Sequence, residues 1–144
     1  VPVLLASDQL APTAARWPLY AALDLGALLT APGCGRAWTH ALLWEWRLAH
    51  LADTAQVVVS ELLTNAVQAS RGLHRAAIQL SLASDRERLL ISVRDFDPGA
   101  PAPRHASDDD ETGRGLMLVE AISDRFGWYP ATDGTPGKVV WAAL

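Results

Sequence analysis

Hydrophobic and polar positions recur with two periods along this chain, and the changes between them set out the elements. From residue 55 to 67, Ala, Val or Leu stands at 55, 58, 59, 62, 63, 66 and 67, the spacing of a helix with one buried stripe. Asp53 followed by Gln56 resembles a capping box and predicts where that helix opens. A looser helical spacing, Ala37, Ala41, Trp44 and Leu48, predicts an earlier helix from Arg36 to about His50. The short apolar runs AAIQLSLAS (76–84) and RLLISVRDF (88–96) read as two strands of a hairpin joined through DRER. AALDLGALL (21–29) reads as a strand ended by the turn-like APGCG, and DRFGWYP and GKVVWAAL read as two final strands around ATDGTPG. Between them, residues 97–114 are rich in Pro, Gly and Asp and predict a long loop, followed by a short helix from Gly115 to Asp124. Residues 1–20 show no clear period and are read as an N-terminal arm, leaving 21–144 as one domain. Three helices and five strands in this order predict an α+β fold, a two-layer α/β sandwich with helices on one face of a mixed, mostly antiparallel sheet.

Composition narrows the classes. The chain has 144 residues, half of them hydrophobic, which is the usual size for one domain with its own core. No apolar run approaches the roughly 20 residues that span a bilayer, so no membrane association is expected. The lone Cys34 forms no disulfide framework and no multi-cysteine zinc site, the start does not resemble a signal peptide, and the cytoplasm is the expected compartment. A net charge of −4 argues against direct nucleic-acid binding. Asp108, Asp109, Asp110 and Glu111 form an acidic run of the solvated kind, and arginine supplies every positive side chain except Lys138. His40, His50, His74 and His105 lack metal-ligand spacing. Trp38, Trp44 and Trp46 suit packing or a homodimer surface, Trp141 a sheet core, Met117 core filling, and Lys138 a water-facing position where a strand begins.

Three short motifs could carry chemistry. Glu61 and Asn65 fall about 40° apart at one rim of the helical stripe, where a carboxylate can take a proton and an amide oxygen can ligate Mg²⁺. Alone, this pair is equally at home on a solvent-facing helix. In VRDFDPGAP, Asp95 closes a strand and can accept from an exocyclic amine, and Gly99 lets a flat base approach the backbone, although Asp and Pro-Gly also make ordinary turns. In ETGRGLMLVE, Gly113 and Gly115 are expected to precede a helix whose free N–H groups face phosphate, with Arg114 adding a fork of donors.

Taken in order, E-x-x-x-N on a helix, two strands, D-x-D-P-G, a loop and G-x-G-L resemble the N, G1 and G2 boxes of the GHKL superfamily of ATP-binding proteins. ELLTNAV, VRDFDPGAPAPR, GRGLMLVEAISDRFGW and GKVVWAAL look more narrowly like the histidine-kinase-like ATPase domains of actinobacterial regulatory proteins similar to anti-sigma-factor serine kinases. The resemblance covers about residues 21–144. It implies the Bergerat ATP-binding fold, ATP and Mg²⁺ as cofactors, and a sigma factor or anti-anti-sigma antagonist as partner. Carried over residue by residue, it implies Glu61 as general base and Asn65 as Mg²⁺ ligand. It also implies Asp95 as the adenine-reading carboxylate, Gly99 as the base-packing glycine, and Gly113, Arg114, Gly115 and Leu116 as the phosphate-side contacts. The chain departs from the pattern at Asp97, where a glycine is frequent, at Ala69 and Ser70, which replace His-Gly, and at Val139, where a threonine often serves the adenine site. Retention of Glu61 favours a kinase, whereas Asp97 and Val139 favour a non-catalytic nucleotide-binding module that sequesters a partner.

Overall fold

The computed structural model describes residues 3–4, 17–71, 77–99, 101 and 111–144, with backbone alone at 3–4 and 111–114. The sheet has six strands: β1 (Val3–Leu4), β2 (Leu19–Gly26), β3 (Ala77–Ser84), β4 (Leu89–Asp95), β5 (Arg125–Pro130) and β6 (Lys138–Ala143). Their order is β1-β5-β6-β4-β3-β2. Every pairing is antiparallel except that of the two-residue β1 on β5. Three helices, α1 (Ala31–Glu45), α2 (Ala52–Ala69) and α3 (Glu111–Ile122), complete the α+β sandwich that the hydrophobic pattern predicts.

Strand alternation decides which side chains meet the helices. Leu23, Leu80, Val93, Val140 and Trp128 stand in register across five strands, and all but Leu23 belong to the cluster that packs on the α2 stripe of Ala55, Val58, Val59, Leu62, Leu63 and Ala66. Burial of a Val or Leu side chain contributes about 1.5–3 kcal/mol, so this layer carries much of the fold. The opposite face holds a smaller cluster of Trp17, Ala83, Leu90 and Trp141, and Trp141 is fully buried as expected of a sheet-core residue.

Several boundaries differ from the sequence reading for physical reasons. Pro32 lies in the first turn of α1, where a missing N–H costs nothing, so the Pro-Gly pair starts a helix instead of ending a strand. The buried face of α1 is Ala31, Gly35, Thr39 and Leu43, not the stripe of Ala37, Ala41 and Trp44; Trp44 is 70% exposed. Gly35 sets that phase, because its missing side chain lets α1 settle onto Leu63 and Val59. Trp38 and Trp46 pack on the core edge. A Schellman-type stop ends α1, with Arg47 left-handed and the Leu48 N–H donating to the Leu43 carbonyl at 2.8 Å.

The capping box at Asp53 does not form. A 3₁₀ turn over Ala49–Leu51 runs directly into α2 and places Asp53 inside its first turn, where the carboxylate opposes the positive end of the dipole; Gln56 donates to the Ala52 carbonyl at 3.2 Å. Met117 is 67% exposed on α3 and fills no core. Strand β2 begins at Leu19 and Trp17 is buried, so ordered sheet structure starts before residue 21. Most of the loop expected over 97–114, with Asp108, Asp109, Asp110 and His105, lies outside the described residues, as do most of the arm and His74. No helix among the described residues is long and apolar enough to cross a membrane.

Candidate functional site

The site is assembled from the rim of α2, the start of α3 and the adjoining ends of β4 and β6. Strand alternation sends Leu89, Ile91, Val93 and Asp95 to the helix side of β4, and Asp95 is 1% exposed at the strand end. A buried carboxylate is costly unless partnered. Asp95 Oδ1 accepts from Lys138 Nζ at 3.1 Å and from the Asp97 N–H at 2.9 Å, whereas Oδ2 is buried with no hydrogen-bond partner among the described residues. Burial raises the Asp95 pKa above the ordinary carboxylate range, and the Lys138 charge and hydrogen bond pull against that rise.

Lys138 is the residue that the sequence reading placed wrongly. It is 1% exposed rather than water-facing, because it pairs in register with Asp95 and shares its face of the sheet. Its ammonium also reaches Asp97 Oδ2 at 3.2 Å and the Asp97 carbonyl at 3.4 Å. Asp97, in turn, accepts from the Gly99 N–H at 3.3 Å. The departure at Asp97 therefore supplies the second anion for a buried lysine and ties the turn after β4. Gly99 lies over the Asp97 carboxylate, where an added Cβ would meet Oδ2 at 3.4 Å.

Gly137 permits this convergence. Its φ is +140°, and a Cβ there would drive into the Asp95 carbonyl oxygen and stand 3.1 Å from Phe96 Cα. Sequence reasoning passed over Gly137, although the turn signal before GKVVW marked a place where glycine could be required.

On the helix layer, Glu61 is half-buried and Asn65 is 8% exposed, inside the edge of the buried stripe instead of just beyond it. Gly113 and Gly115 do not precede α3; they lie within its first five residues. Glycine weakens a helix by only about 1 kcal/mol per residue, and packing of Leu116 and Val119 into the core offsets that loss. Gly115 is buried and crosses α2 at Glu61, where any Cβ would collide with the Glu61 carboxylate. The N-box carboxylate and the glycine motif are thus in direct contact. Leu116 is a core side chain, 4% exposed. Gly113 and Arg114 fall in the first turn of α3, whose leading N–H groups have no intrahelical partner.

Val139 points away from all of this. It lines a shallow cavity of about 220 Å³ on the outer sheet face with Tyr20, Ser81, Ser92, Arg94 and Tyr129, so its lack of a hydroxyl takes nothing from Asp95. In that face Arg94 forks onto Asp133 and Thr135 and stacks on Phe96, 4.8 Å from the ring centre.

A helix rim bearing a carboxylate and an amide, over a mostly antiparallel sheet whose central strand ends in a buried carboxylate, fits an α+β domain of the ATP-binding kind. The chain belongs to the histidine kinase-like ATPase domain family, whose profile matches residues 34–144. A search of curated proteins finds no match. Family membership implies ATP as the ligand, and the residues fit it. Asp95 Oδ2 is a buried acceptor without a donor among the described residues, a group that a 6-amino purine would satisfy. Asn65 offers one hard oxygen, in keeping with Mg²⁺ sites that rely on few protein ligands and on phosphate oxygens. Among the described residues no cluster of three or more His, Cys, Asp or Glu could hold a metal by itself.

Proposed function

We propose that this protein is a cytoplasmic ATP- and Mg²⁺-binding regulator, an anti-sigma-type serine/threonine kinase that phosphorylates an anti-anti-sigma antagonist. The observation that carries the reading is the contact between Gly115 and the Glu61 carboxylate, which supports Glu61 as a general base acting next to a phosphate-facing helix start. Asp95 Oδ2 would accept from the adenine amine, and Gly113, Arg114 and Gly115 would face the phosphates. Mg²⁺ on Asn65 would supply charge neutralisation at the transferring group. Glu61 would take the proton from the partner's serine hydroxyl as that oxygen attacks the γ-phosphorus, the bond from the γ-phosphorus to the β,γ-bridging oxygen breaks, and ADP leaves. The partner is a sigma factor, an anti-anti-sigma antagonist or both, with a homodimer as the assembly and no direct contact with nucleic acid or membrane.

The test is incubation with labelled ATP and a panel of anti-anti-sigma domains, for wild type, Glu61→Gln and Asn65→Ala. Glu61→Gln keeps nucleotide binding and lowers transfer about 10²–10⁴-fold; Asn65→Ala loses both. A second reading, a nucleotide-binding module that only sequesters its partner, draws on the burial of Asp95 with Lys138, which ties up half of the base-reading carboxylate. Tight ATP binding with no transfer to any antagonist, and capture of a partner all the same, would establish that reading and refute the kinase.

A further inference from the structure

Lys138 is the only lysine in the chain, and it is spent in the interior. Holding a flexible ammonium at 1% exposure requires compensation from its neighbours, and two carboxylates and a carbonyl provide it. The arrangement is asymmetric. Lys138 Nζ and the Asp97 N–H both donate to Asp95 Oδ1, and nothing among the described residues donates to Oδ2. A lysine serving only to stabilise the fold would not need to leave the other oxygen of a buried carboxylate bare.

We propose that Lys138 is the positioning and specificity-determining residue of the nucleotide pocket: by filling Asp95 Oδ1 it keeps that carboxylate ionised and leaves Oδ2 as an acceptor that selects a 6-amino purine over a 6-oxo purine. The inference rests on the nucleotide reading given above. An ionised carboxylate can only accept, so it suits the amine of adenine and opposes the carbonyl of hypoxanthine or guanine. A protonated Asp95 could donate, and would then tolerate a 6-oxo base.

Burial alone pushes Asp95 toward the protonated form, and Lys138 opposes it. Among the described residues, the charges acting on Asp95 are Lys138 from β6 and Asp97 from the turn after β4, and the second is a like charge that adds to the upward push. Glu61 on α2 lies against Gly115, and Arg94, adjacent in sequence, is on the other face with Asp133. Removing the lysine therefore removes the charge that holds the acceptor form and leaves only the weaker pull of the Asp97 N–H against burial.

Two measurements test this on the full chain. Carbon-detected NMR of the Asp95 carboxyl, without nucleotide, should show its titration midpoint rising by at least about one pH unit in Lys138→Met. Calorimetry with Mg-ATP and Mg-ITP between pH 6 and 8 should show a wild-type preference for ATP that is flat with pH. In Lys138→Met the ATP affinity should fall as pH falls, by up to about tenfold per unit, and the preference over ITP should shrink at least about tenfold. Lys138→Gln, which retains a donor without the charge, should behave like Lys138→Met in titration and guards against a variant that merely fails to fold. If wild type binds ATP while both variants keep its midpoint and its preference, the role of Lys138 is overturned and the nucleotide reading survives. If wild type binds neither nucleotide, the nucleotide reading itself falls and takes the specificity role with it.

Discussion

Gly137→Ala gives the sharpest test of how the site is held. At φ +140° an L-residue is strained, and the added Cβ would stand 3.1 Å from Phe96 Cα and 3.2 Å from the Asp95 carbonyl carbon, closer still to its oxygen. All three atoms are backbone, so no side chain can swing aside. Relief requires the ends of β4 and β6 to part by about 1 Å, given that non-bonded atoms settle near 3.5 Å. The Lys138 to Asp95 bond, 3.1 Å long between those two strand ends, would not survive such a shift. Backbone strain of about 1–2 kcal/mol and loss of a charge-assisted hydrogen bond worth about 1.5–3 kcal/mol give a destabilisation of about 2.5–5 kcal/mol. In a chain of this size that lowers the melting temperature by roughly 10–20 °C. Gly134→Ala is the matched control. Its φ is +79°, yet nothing lies within 4 Å of the added Cβ, so only the conformational part applies. Circular-dichroism melts of both variants decide the matter, and equal melting temperatures would refute the close-approach argument. Mg-ATP affinity should fall in Gly137→Ala and hold in Gly134→Ala.

Asp95→Asn should weaken Mg-ATP binding about 10–100-fold by calorimetry. Because two donors already meet at Oδ1, the amide oxygen would sit there, and in the proposed pocket its NH₂ would face the adenine amine, donor to donor. Gly35→Ala should destabilise the fold by about 1–3 kcal/mol in urea titration, since its Cβ would overlap the fully buried Leu63 and press on Val59, and nucleotide affinity per folded molecule should not change. Asp133 lies on the exposed side of the sheet, with its pKa held below the ordinary carboxylate range by the Arg94 hydrogen bond and by Thr135. A depressed carboxylate contributes stability that is present above pH 4 or so and lost as pH falls below it. The acid-side fall in melting temperature should therefore be shallower in Asp133→Asn.

The elements whose period was strong were legible in the sequence, and those whose boundaries rest on contacts were not. The α2 stripe and the β3 and β4 runs stand where their patterns put them, because burial on one face imposes a period that composition records. α1 was misphased because its buried face includes Gly35 and Thr39, neither of which registers as hydrophobic, while alanines lie on its exposed side. α3 includes two glycines, one of which, Gly115, sits against the Glu61 carboxylate of α2, and propensity alone would have set the helix boundary there. At the site, Glu61, Asn65 and Asp95 were singled out through a family resemblance carried by the order of the motifs, whereas Lys138 read as a surface residue. A lysine before an apolar strand usually does face water. Its burial follows from the register that sets it opposite Asp95, and register is a property of two strands 43 residues apart in sequence. The same register turns Val139 to the outer face, so two neighbouring residues exchange the roles that a linear reading assigns them. A motif can therefore single out a carboxylate at a strand end, but the charge it is buried with has to be found across the sheet.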